Sequence, residues 1–317
     1  MFGLWPAWFW ILGIWLLILL SHRSWKRTTI IIIAWLIFLF TFSEEWRWSS
    51  HIFKSSTDKK WESRHKKWVA VTQKDFTPDT WNENYPFRII SYNVNGNLDA
   101  LRSVSQYQPD ICFFQEVPDS KRITPEILSL FGPKSVYVDG GDCAILSRLP
   151  ISSQSKLSLK YAGPAVRAEL NLSPKINIIF VNVRLLLPEL GLNIFSPTVW
   201  KATKQTQTYR EEQMVILNNM IQTLPLGTQL VIGGDFNRPA RAASLHLLRK
   251  NYIDTYAYSG IGWGNTMTVD FPVSRIDLIW IPKEWRAVKS RVIALGNSDH
   301  RLLISDIDVN YATSERR

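Results

Sequence analysis

The stretch TQLVIGGDFN (residues 228–237) decides the fold of this chain, because it joins an apolar strand to a polar turn. The run before the two glycines is short and rich in β-branched residues, which predicts a β-strand. Asp235 and Asn237 then place a carboxylate and an amide at the end of that strand. The stretch therefore predicts a sheet that presents reactive side chains along one rim.

Further stretches have the same design, with an acid, an amide or an imidazole beside an apolar run. They are FRIISYNV (87–94) with Asn93, DICFFQE (110–116) with Glu116, SRIDLIW (274–280) with Asp277, and SDH (298–300) with Asp299 and His300. Separate strands can deliver these side chains to one rim of a sheet. That is how a metal site is assembled from distant parts of a sequence.

The side chains themselves indicate the chemistry. Carboxylate and amide oxygens of Glu116, Asp299, Asn93 and Asn237 are hard ligands, and the sequence lacks the Cys/His cluster that zinc prefers, which favours Mg²⁺ or Mn²⁺. His300 can accept a proton from water if Asp277 orients its ring, while a metal ion and Asn237 stabilise the charge of an attacked phosphate. The predicted reaction is phosphoester hydrolysis.

Each stretch taken alone has an ordinary structural explanation. GDFN is compatible with a turn after a buried strand, QE with a strand end and SDH with a helix cap. The order and spacing of all five stretches favour a shared site instead, because each follows or precedes a strand in the order that such a site requires.

The chain resembles the endonuclease/exonuclease/phosphatase superfamily from about Phe87 to about Asn310. The resemblance also includes CAILSRLP (143–150), FVNVRLLLP (180–188) and YREEQ (209–213). It implies a four-layered α/β sandwich, in which two facing mixed sheets are covered by helices. It also implies a metal-dependent hydrolase of phosphoesters.

The same resemblance implies a role for each candidate residue. Glu116 would be the principal metal ligand, with Asn93 and Asp299 close to the ion. Asp235 and Asn237 would position the water and the phosphate. The implied carboxylate–imidazole pair is Asp277 with His300, and the implied basic substrate position is Arg167.

One strand departs from the pattern of the superfamily. Many members have a His in the strand that here contains Asn182 and Arg184, where the His contacts the scissile phosphate or protonates the leaving group. An Arg can bind a phosphate in a bidentate manner, but its pKa is too high for proton transfer near neutrality. We therefore expect Asn182 and Arg184 to bind substrate. Trp263 is a further candidate that either stacks on a substrate ring or belongs to the core.

The first 43 residues predict two transmembrane helices. Phe2–Leu20 and Thr28–Ser43 contain no charged residue, and tryptophans near their ends suit the membrane interface. A cleaved signal peptide or two buried helices of a soluble domain are the alternatives. The loop at Ser21–Arg27 is basic, so the positive-inside rule places it in the cytoplasm and the catalytic domain in the periplasm or outside the cell.

Residues 44–85 predict a charged, solvated linker, because their charges are clustered and no apolar periodicity is evident. Its lysines and arginines either touch anionic lipid headgroups or have no partner. Residues 86–317 then form the catalytic domain. Cys112 and Cys143 both lie in apolar runs and are predicted to be small core residues, with their pairing left open.

The formal charge of the 317-residue chain is +10, of which roughly +6 belongs to residues 87–317. Polyanionic substrates are therefore electrostatically permitted. The expected function is a membrane-tethered nuclease. The alternatives are a phosphodiesterase or phosphatase of lipid or inositol headgroups, and a degenerate binding protein held at the membrane. The sequence indicates no protein partner.

Overall fold

The structure is a computed structural model that describes residues 25–42, 46–47, 55–77, 86–161, 163–174, 176–187, 197–225, 227–270 and 272–309. In chain order the main strands are β1 (Phe87–Asn93), β2 (Ile111–Gln115), β3 (Val136–Asp139), β4 (Cys143–Ser147), β5 (Ser153–Ser158), β6 (Pro164–Ser173), β7 (Ile176–Arg184), β8 (Gln229–Asp235), β9 (Tyr252–Asp254), β10 (Asp277–Pro282), β11 (Arg286–Ile293) and β12 (Leu302–Asp308). The α-helices are α1 (Trp25–Phe42), α2 (Ser55–Asp75), α3 (Leu98–Ser103), α4 (Pro125–Ser129), α5 (Pro197–Gln222), α6 (His246–Asn251) and α7 (Thr255–Ser259).

These strands form two six-stranded sheets. The order is β11-β12-β1-β2-β4-β3 in the first sheet and β9-β10-β8-β7-β6-β5 in the second. Each sheet is mixed, because β1 runs parallel to β2 and β7 runs parallel to β8, whereas the other neighbours are antiparallel. The last residues of β1 and β2 therefore share one edge, as do those of β7 and β8.

The two sheets pack face to face around a buried apolar cluster. Its members from both sheets include Phe87, Ile89, Phe113, Phe180, Val231 and Ile279. Gly233 faces Phe113, and a Cβ on this glycine would lie only 2.2 Å from the phenyl ring. The absence of a side chain at this position therefore allows close approach of the two sheets.

Helices cover the outer faces of both sheets. Helix α5 contributes Met214 and Leu217 to a cluster on the second sheet, and α3 and α4 contribute Leu101 and Ile127 to a cluster on the first. The layers are thus helix, sheet, sheet and helix, as the predicted sandwich requires. Cys112 and Cys143 are buried and unpaired in different clusters, which confirms the prediction that they are core residues.

Helix α1 coincides with the second of the two hydrophobic segments. Ile30 and Ile33 on this helix are 66% and 51% exposed. None of the helices in the described part of the chain is both long and apolar enough to cross a membrane. The transmembrane hairpin stays a prediction from the sequence, since its first segment, Phe2–Leu20, lies outside the described residues.

Helix α2 lies within the predicted linker, yet one of its faces is buried. Trp61, His65, Trp68 and Thr72 recur every three or four residues, and each is at most 3% exposed. The prediction of a solvated segment without periodicity is therefore wrong for this helix. Its buried stripe was missed because it consists of aromatic and polar residues, with lysines and arginines between them, and not of aliphatic residues.

The carboxylate of Asp110, immediately before β2, anchors this helix to the sandwich. It accepts hydrogen bonds from Trp68 Nε1 at 2.7 Å and from the backbone N–H of Arg88 at 2.7 Å. Arg148 also donates to it, and His65 Nε2 lies 3.4 Å away. All these side chains are buried, so helix α2 packs against the sandwich as part of the same folded unit.

Candidate active site

Several strands bring the predicted catalytic side chains to one edge of the facing sheets. In the first sheet, β1 ends at Asn93 beside Gln115 of β2, and Glu116 follows directly. In the second sheet, β8 ends at Asp235, which pairs with Asp277 at the start of β10. The stretches that are distant in sequence therefore converge as predicted.

Asp277 and His300 form a buried carboxylate–imidazole pair. His300 Nδ1 lies 2.8 Å from Asp277 Oδ2, and the side chains are 3% and 0% exposed. Ser298 positions the histidine, because its Oγ accepts from the His300 backbone N–H at 3.1 Å and donates to the Asn93 carbonyl at 2.7 Å. Thr266 Oγ1 accepts from the Asp277 backbone N–H at 3.2 Å. Ser298 thus fixes the backbone of His300, and Thr266 fixes the backbone of Asp277.

Asn93 connects catalytic groups of the two sheets. Its Nδ2 donates to Glu116 Oε1 at 2.9 Å and to Asp235 Oδ2 at 3.3 Å, and lies 3.5 Å from His300 Nε2. Its Oδ1 accepts from the Asn95 backbone N–H at 3.0 Å. In this orientation the N–H groups of the Asn93 amide position two carboxylates. The amide oxygen accepts the backbone hydrogen bond that stabilises the turn after β1.

Asp235 and Asn237 form a second tightly organised element. The Asn237 backbone N–H donates to Asp235 Oδ1 at 2.9 Å, and its Nδ2 donates to the Leu185 carbonyl at 2.8 Å. Asn237 has a φ of 48°, a left-handed conformation that Asn tolerates better than most residues. Arg210 from helix α5 donates to the Asn237 carbonyl. The turn after β8 is therefore fixed by a contact within the turn and by contacts to two other parts of the chain.

Glu116 also occupies the left-handed region, with a φ of 48°, at the exit from β2. Its Oε1 accepts from Arg184 Nη2 at 2.7 Å. Arg184 stands at the end of β7 opposite Asp235, and its Nη1 donates to Asp142 Oδ2 at 2.5 Å. The guanidinium thus joins two carboxylates at the mouth of the site.

Burial and neighbouring charge alter the protonation of this cluster. Burial raises the pKa of Asp235, and the negative charge of Asp277 raises it further. Burial on its own would lower the pKa of His300, but the charge and hydrogen bond of Asp277, together with Asp235, outweigh it and raise the pKa to about 10. His300 therefore holds its proton at neutral pH while these carboxylates face no other cation.

The cluster suits a hard divalent cation. Asp235, Asp277 and His300 each offer a ligand atom, and these atoms lie within 4.8 Å of one another. Asp277 Oδ1 is buried and accepts no hydrogen bond from the residues that the structure describes. Glu116 adds a third carboxylate, connected to Asp235 through Asn93. An excess of oxygen donors and negative charge is what Mg²⁺ or Mn²⁺ requires.

Three other predicted site residues lie at the margin of this hydrogen-bonded cluster or outside it. Asp299 is exposed, with Ser298 Oγ at 3.4 Å from its carboxylate. Arg167 pairs with Glu169 on β6. Trp263 is half-buried, and its Nε1 donates to the Pro272 carbonyl at 3.2 Å. Their predicted roles in metal and substrate binding stay predictions.

Asn182 lies below the site and joins the two sheets. Its Nδ2 donates to the carbonyls of Phe114 and Ala144, each at 2.8 Å, and its Oδ1 accepts from Gln115 Nε2 at 2.7 Å. Both groups of the buried amide are thus engaged by the protein. In this arrangement Asn182 supports the floor of the site.

The supporting residues had no assigned role in the sequence analysis. Ser298 stands inside the SDH stretch, and Arg210 lies in YREEQ, so both were present in quoted segments. Asp142 immediately precedes CAILSRLP, and Thr266 follows Trp263 by three residues. Their partners are distant in sequence, which is why spacing alone did not reveal their contacts.

The model of the family described as Endonuclease/Exonuclease/phosphatase matches residues 90–300 of this chain. That span contains the site residues from Asn93 to His300. A search of curated proteins finds no match.

Solved structures of similar fold come from bacteria and from an animal. An endonuclease/exonuclease/phosphatase from Beutenbergia cavernae is 16% identical with a TM-score of 0.55, over 71% of this chain and 72% of its own. D. rerio TDP2, complexed with a single-strand DNA product, is 16% identical with a TM-score of 0.51, over 71% and 99%. The mannosyl-6-phosphatase of Bacteroides thetaiotaomicron is 15% identical with a TM-score of 0.53, over 70% and 99%. At these identities the similarity establishes a shared fold.

Proposed function

We propose that this chain, which belongs to the endonuclease/exonuclease/phosphatase family and is a phosphoester hydrolase, cleaves phosphodiesters with a bound divalent metal ion. Nucleic acid is the proposed substrate. The observation that supports catalysis most directly is the buried pair of His300 and Asp277, 2.8 Å apart, at an edge where carboxylates from both sheets converge. Such a pair is the arrangement that a general base requires.

His300 is the proposed base. Asp277 holds Nδ1, so Nε2 is the nitrogen that faces Asn93 and the remaining carboxylates. Once the charge of Asp235 is neutralised, one of the interactions that raise the pKa of His300 is lost and Nε2 can accept a proton from water. Asp277 then stabilises the protonated ring.

Glu116 and Asp235 are the residues that would hold the metal ion, because Asp277 is engaged with His300. When bound, a divalent ion polarises the phosphate and offsets its developing negative charge. Arg184 supplies further stabilisation from the protein through its guanidinium at the end of β7. Asn237 holds Asp235 in place, because its Nδ2 donates to the Leu185 carbonyl and to Asp235 Oδ2. Arg184 cannot donate a proton near neutrality, so it assists the leaving group by charge alone.

Two observations support nucleic acid as substrate. The catalytic portion of the chain is net basic, with roughly +6 of the formal +10, which suits a polyanion. Among proteins of the same fold, TDP2 of D. rerio is described in complex with single-strand DNA product. Degenerate binding is disfavoured, because the catalytic pair and its supporting hydrogen bonds are complete.

A second candidate is a phosphodiesterase or phosphatase of lipid or inositol headgroups. The exposed Ile30 and Ile33 of helix α1 favour it, because they offer an apolar surface close in sequence to the basic Lys26 and Arg27. We further propose that the hydrophobic N-terminal segments hold the enzyme at a membrane, with the catalytic domain on the periplasmic or extracellular side. A membrane tether is compatible with either substrate class.

The test is a substrate screen with the full chain purified in detergent. Plasmid DNA, RNA, sphingomyelin, phosphoinositides and a chromogenic bis-phosphate ester are each supplied with Mg²⁺ or Mn²⁺, and His300→Ala serves as the inactive control. We expect metal-dependent cleavage of DNA or RNA that EDTA abolishes. Hydrolysis of lipid headgroups alone would select the second candidate, and full activity in EDTA would contradict the metal-dependent mechanism.

A further inference from the structure

Two tyrosines form a stacked pair beside the second sheet. Tyr161 lies in the loop between β5 and β6, and Tyr209 lies on helix α5. Their ring centroids are 4.0 Å apart, and the ring planes differ by 11°. Both residues are half-buried, so the pair is in contact with solvent. Neither tyrosine belongs to the catalytic cluster, and the chemistry proposed above gives the pair no role.

The loop that carries Tyr161 leaves the second sheet at the catalytic edge. Ala165, the second residue of β6, pairs with Val183 of β7, so β6 begins level with Arg184. Strand β7 lies beside β8, which ends at Asp235. Neighbouring strands are about 4.8 Å apart, so β6 lies roughly 10 Å from β8 along this edge. The tyrosine pair therefore lies beyond Arg184, on the side of the site away from β10.

The backbone of this loop is strained and held by several contacts. Lys160 and Tyr161 have φ of 59° and 47°, in the left-handed region that bulky residues seldom adopt. Gln213 Nε2 donates to the Lys160 carbonyl at 2.9 Å, and its Oε1 accepts from the Leu186 backbone N–H at 2.9 Å. A Cβ on Gly163 would lie only 2.3 Å from Gln213 Nε2. Strain of this kind persists where the surrounding structure enforces it, and it is concentrated at catalytic and ligand-binding segments.

Helix α5 fixes the tyrosine pair relative to the catalytic turn. Its YREEQ segment begins with Tyr209, and Glu212 Oε2 in the same segment accepts from the Tyr161 hydroxyl at 2.6 Å. Arg210, next to Tyr209 in the sequence, donates to the Asn237 carbonyl. Adjacent residues of one helix thus hold both the aromatic pair and the turn after β8. A ligand that contacts the pair therefore has a fixed position relative to the catalytic residues.

Ring surface, and not charge, is the feature that the pair offers a ligand. Lys160 and Lys204 are exposed on this loop and helix, but Glu211 and Glu212 on the same helix offset them. Stacking on aromatic side chains is a general way to bind single-stranded nucleic acid, because every base has a π-face. A base next to the scissile phosphate is the planar ring that a nucleic acid substrate brings to this position.

We infer that the Tyr161–Tyr209 pair is a stacking subsite for a base of single-stranded nucleic acid, adjacent to the scissile phosphate. The inference rests on the proposed hydrolysis of nucleic acid and specifies it. The strand runs along the catalytic edge from β8 past Arg184 to β6, and an unstacked base lies against the tyrosines. The subsite therefore selects a single strand, since the bases of a duplex are already stacked on one another.

The test compares two fluorescently labelled oligonucleotides of equal length, one intact and one with abasic sugars throughout. Their binding to the full chain in detergent is measured by fluorescence anisotropy in EDTA, which prevents metal-dependent cleavage. Tyr161→Ala and Tyr209→Ala each remove a ring, whereas Tyr161→Phe keeps it. Tyr258→Ala is the matched control, because Tyr258 is 51% exposed on α7, next to β9 at the opposite edge of the second sheet. Circular dichroism and thermal melting establish that the variants are folded.

The intact oligonucleotide should bind both alanine variants about tenfold more weakly than wild type, as loss of a stacked base usually predicts. Tyr161→Phe and Tyr258→Ala should match wild type, and the abasic oligonucleotide should bind all variants alike. Wild-type affinity of both alanine variants for the intact strand overturns the subsite. Equal weakening for the abasic strand, or a loss in Tyr161→Phe as large as in Tyr161→Ala, also overturns it.

A second arm of the experiment separates this subsite from the proposed activity. Cleavage of the intact oligonucleotide by wild type is followed with Mg²⁺ on a gel. If wild type cleaves the strand while the alanine variants bind it normally, the subsite is wrong and the proposed hydrolysis stands. If wild type neither binds nor cleaves the strand, both are wrong.

Discussion

Arg184 Nη2 lies 2.7 Å from Glu116 Oε1, so the side chain expected to bind substrate is paired with the side chain expected to hold the metal ion. The same guanidinium donates to Asp142. Charges of the two carboxylates raise the pKa of Arg184 in spite of the opposing effect of burial, so it stays cationic. We therefore expect the fixed positive charge of Arg184 to compete electrostatically with a divalent ion for Glu116.

Arg184→Ala should therefore bind Mn²⁺ more tightly and turn over more slowly. The pair is partly exposed, so we expect a gain in affinity of about two- to tenfold, since a pair of this kind contributes modestly in water. The loss of the phosphate contact should reduce kcat without abolishing it. Calorimetric titration with Mn²⁺ and initial-rate kinetics at saturating metal measure the two effects.

Arg102→Ala is the control for this experiment, because Arg102 is an exposed arginine on α3 that pairs with Asp99 outside the cluster. Arg184→His adds a second comparison, since an imidazole can donate a proton to the leaving group and should retain or raise the rate. Unchanged Mn²⁺ affinity in Arg184→Ala would show that the Arg184–Glu116 pair does not compete with the ion. Turnover in Arg184→His but none in wild type would instead indicate a natural binding protein.

Substitution of Glu116 should raise the metal concentration required for activity more than substitution of Asp299 does. Glu116→Gln keeps the shape of the side chain and removes the charge that a divalent ion needs from a ligand. The apparent metal constant should rise by one order of magnitude or more, and the rate at saturating metal should fall less. Activity measured across a Mg²⁺ titration checks this. Asp299→Asn provides the comparison, because Asp299 is exposed, and a larger effect there would reverse the assignment of the principal ligand.

The sequence predicted the sheets and the convergence of the candidate catalytic residues, because strands and their polar edges leave a local pattern. Asn93, Glu116, Asp235, Asp277 and His300 each follow or precede an apolar run, and the structure joins them. The orientation of an amide leaves no such pattern. The two carboxylates that accept hydrogen bonds from Asn93 lie 23 and 142 residues away in the sequence. A local sequence pattern cannot predict contacts over such distances.

The burial of one face of helix α2 was not predicted from the sequence. Its buried stripe contains His65 between two tryptophans and Thr72 after them, and its other positions are rich in charge, so average hydrophobicity concealed a regular period. The burial of His65 and Trp68 is explained by Asp110, which lies more than forty residues away. A polar partner of this kind becomes evident only in the folded chain.

Catalysis should depend strongly on His300. His300→Ala should reduce kcat by about 10² to 10⁴-fold if the imidazole is the general base. Asp277→Asn should also be harmful, because the carboxylate both orients Nδ1 and stabilises the protonated ring. Single-turnover kinetics on one substrate at saturating metal measures both variants. His246→Ala is the matched control, since His246 is exposed at the start of α6, and wild-type rates in His300→Ala would exclude this base.

Trp68 should contribute strongly to stability. Its indole is 0% exposed, packs edge-on against Phe76 with centroids 5.7 Å apart, and donates to Asp110. Trp68→Ala should lower the free energy of unfolding by about 3–5 kcal/mol, as removal of a buried Trp usually does. Trp25→Ala, at a position 76% exposed, is the control and should change it little. Equal melting midpoints for the two variants would mean that helix α2 is not part of the cooperative unit.

Stability should also fall in acid through Asp110. Burial by itself would raise the pKa of this carboxyl, but the charge of Arg148, the contact with His65 and the backbone N–H of Arg88 outweigh it and lower the pKa to about 2. The unfolded chain, with an ordinary pKa of 3.8, therefore binds more protons than the folded chain between these values, and stability rises with pH there. The contribution, about 2 kcal/mol from the size of this shift, is complete above pH 4 to 5 and is lost as pH falls towards 2.

Denaturant unfolding of wild type and Asp110→Asn between pH 2 and 7 should give a stability difference that is constant above pH 5 and shrinks below pH 4. Asp270→Asn, at an exposed carboxylate, should follow wild type throughout. A difference between wild type and Asp110→Asn that stays constant down to pH 2 would show that Asp110 is not the carboxyl whose protonation weakens the fold.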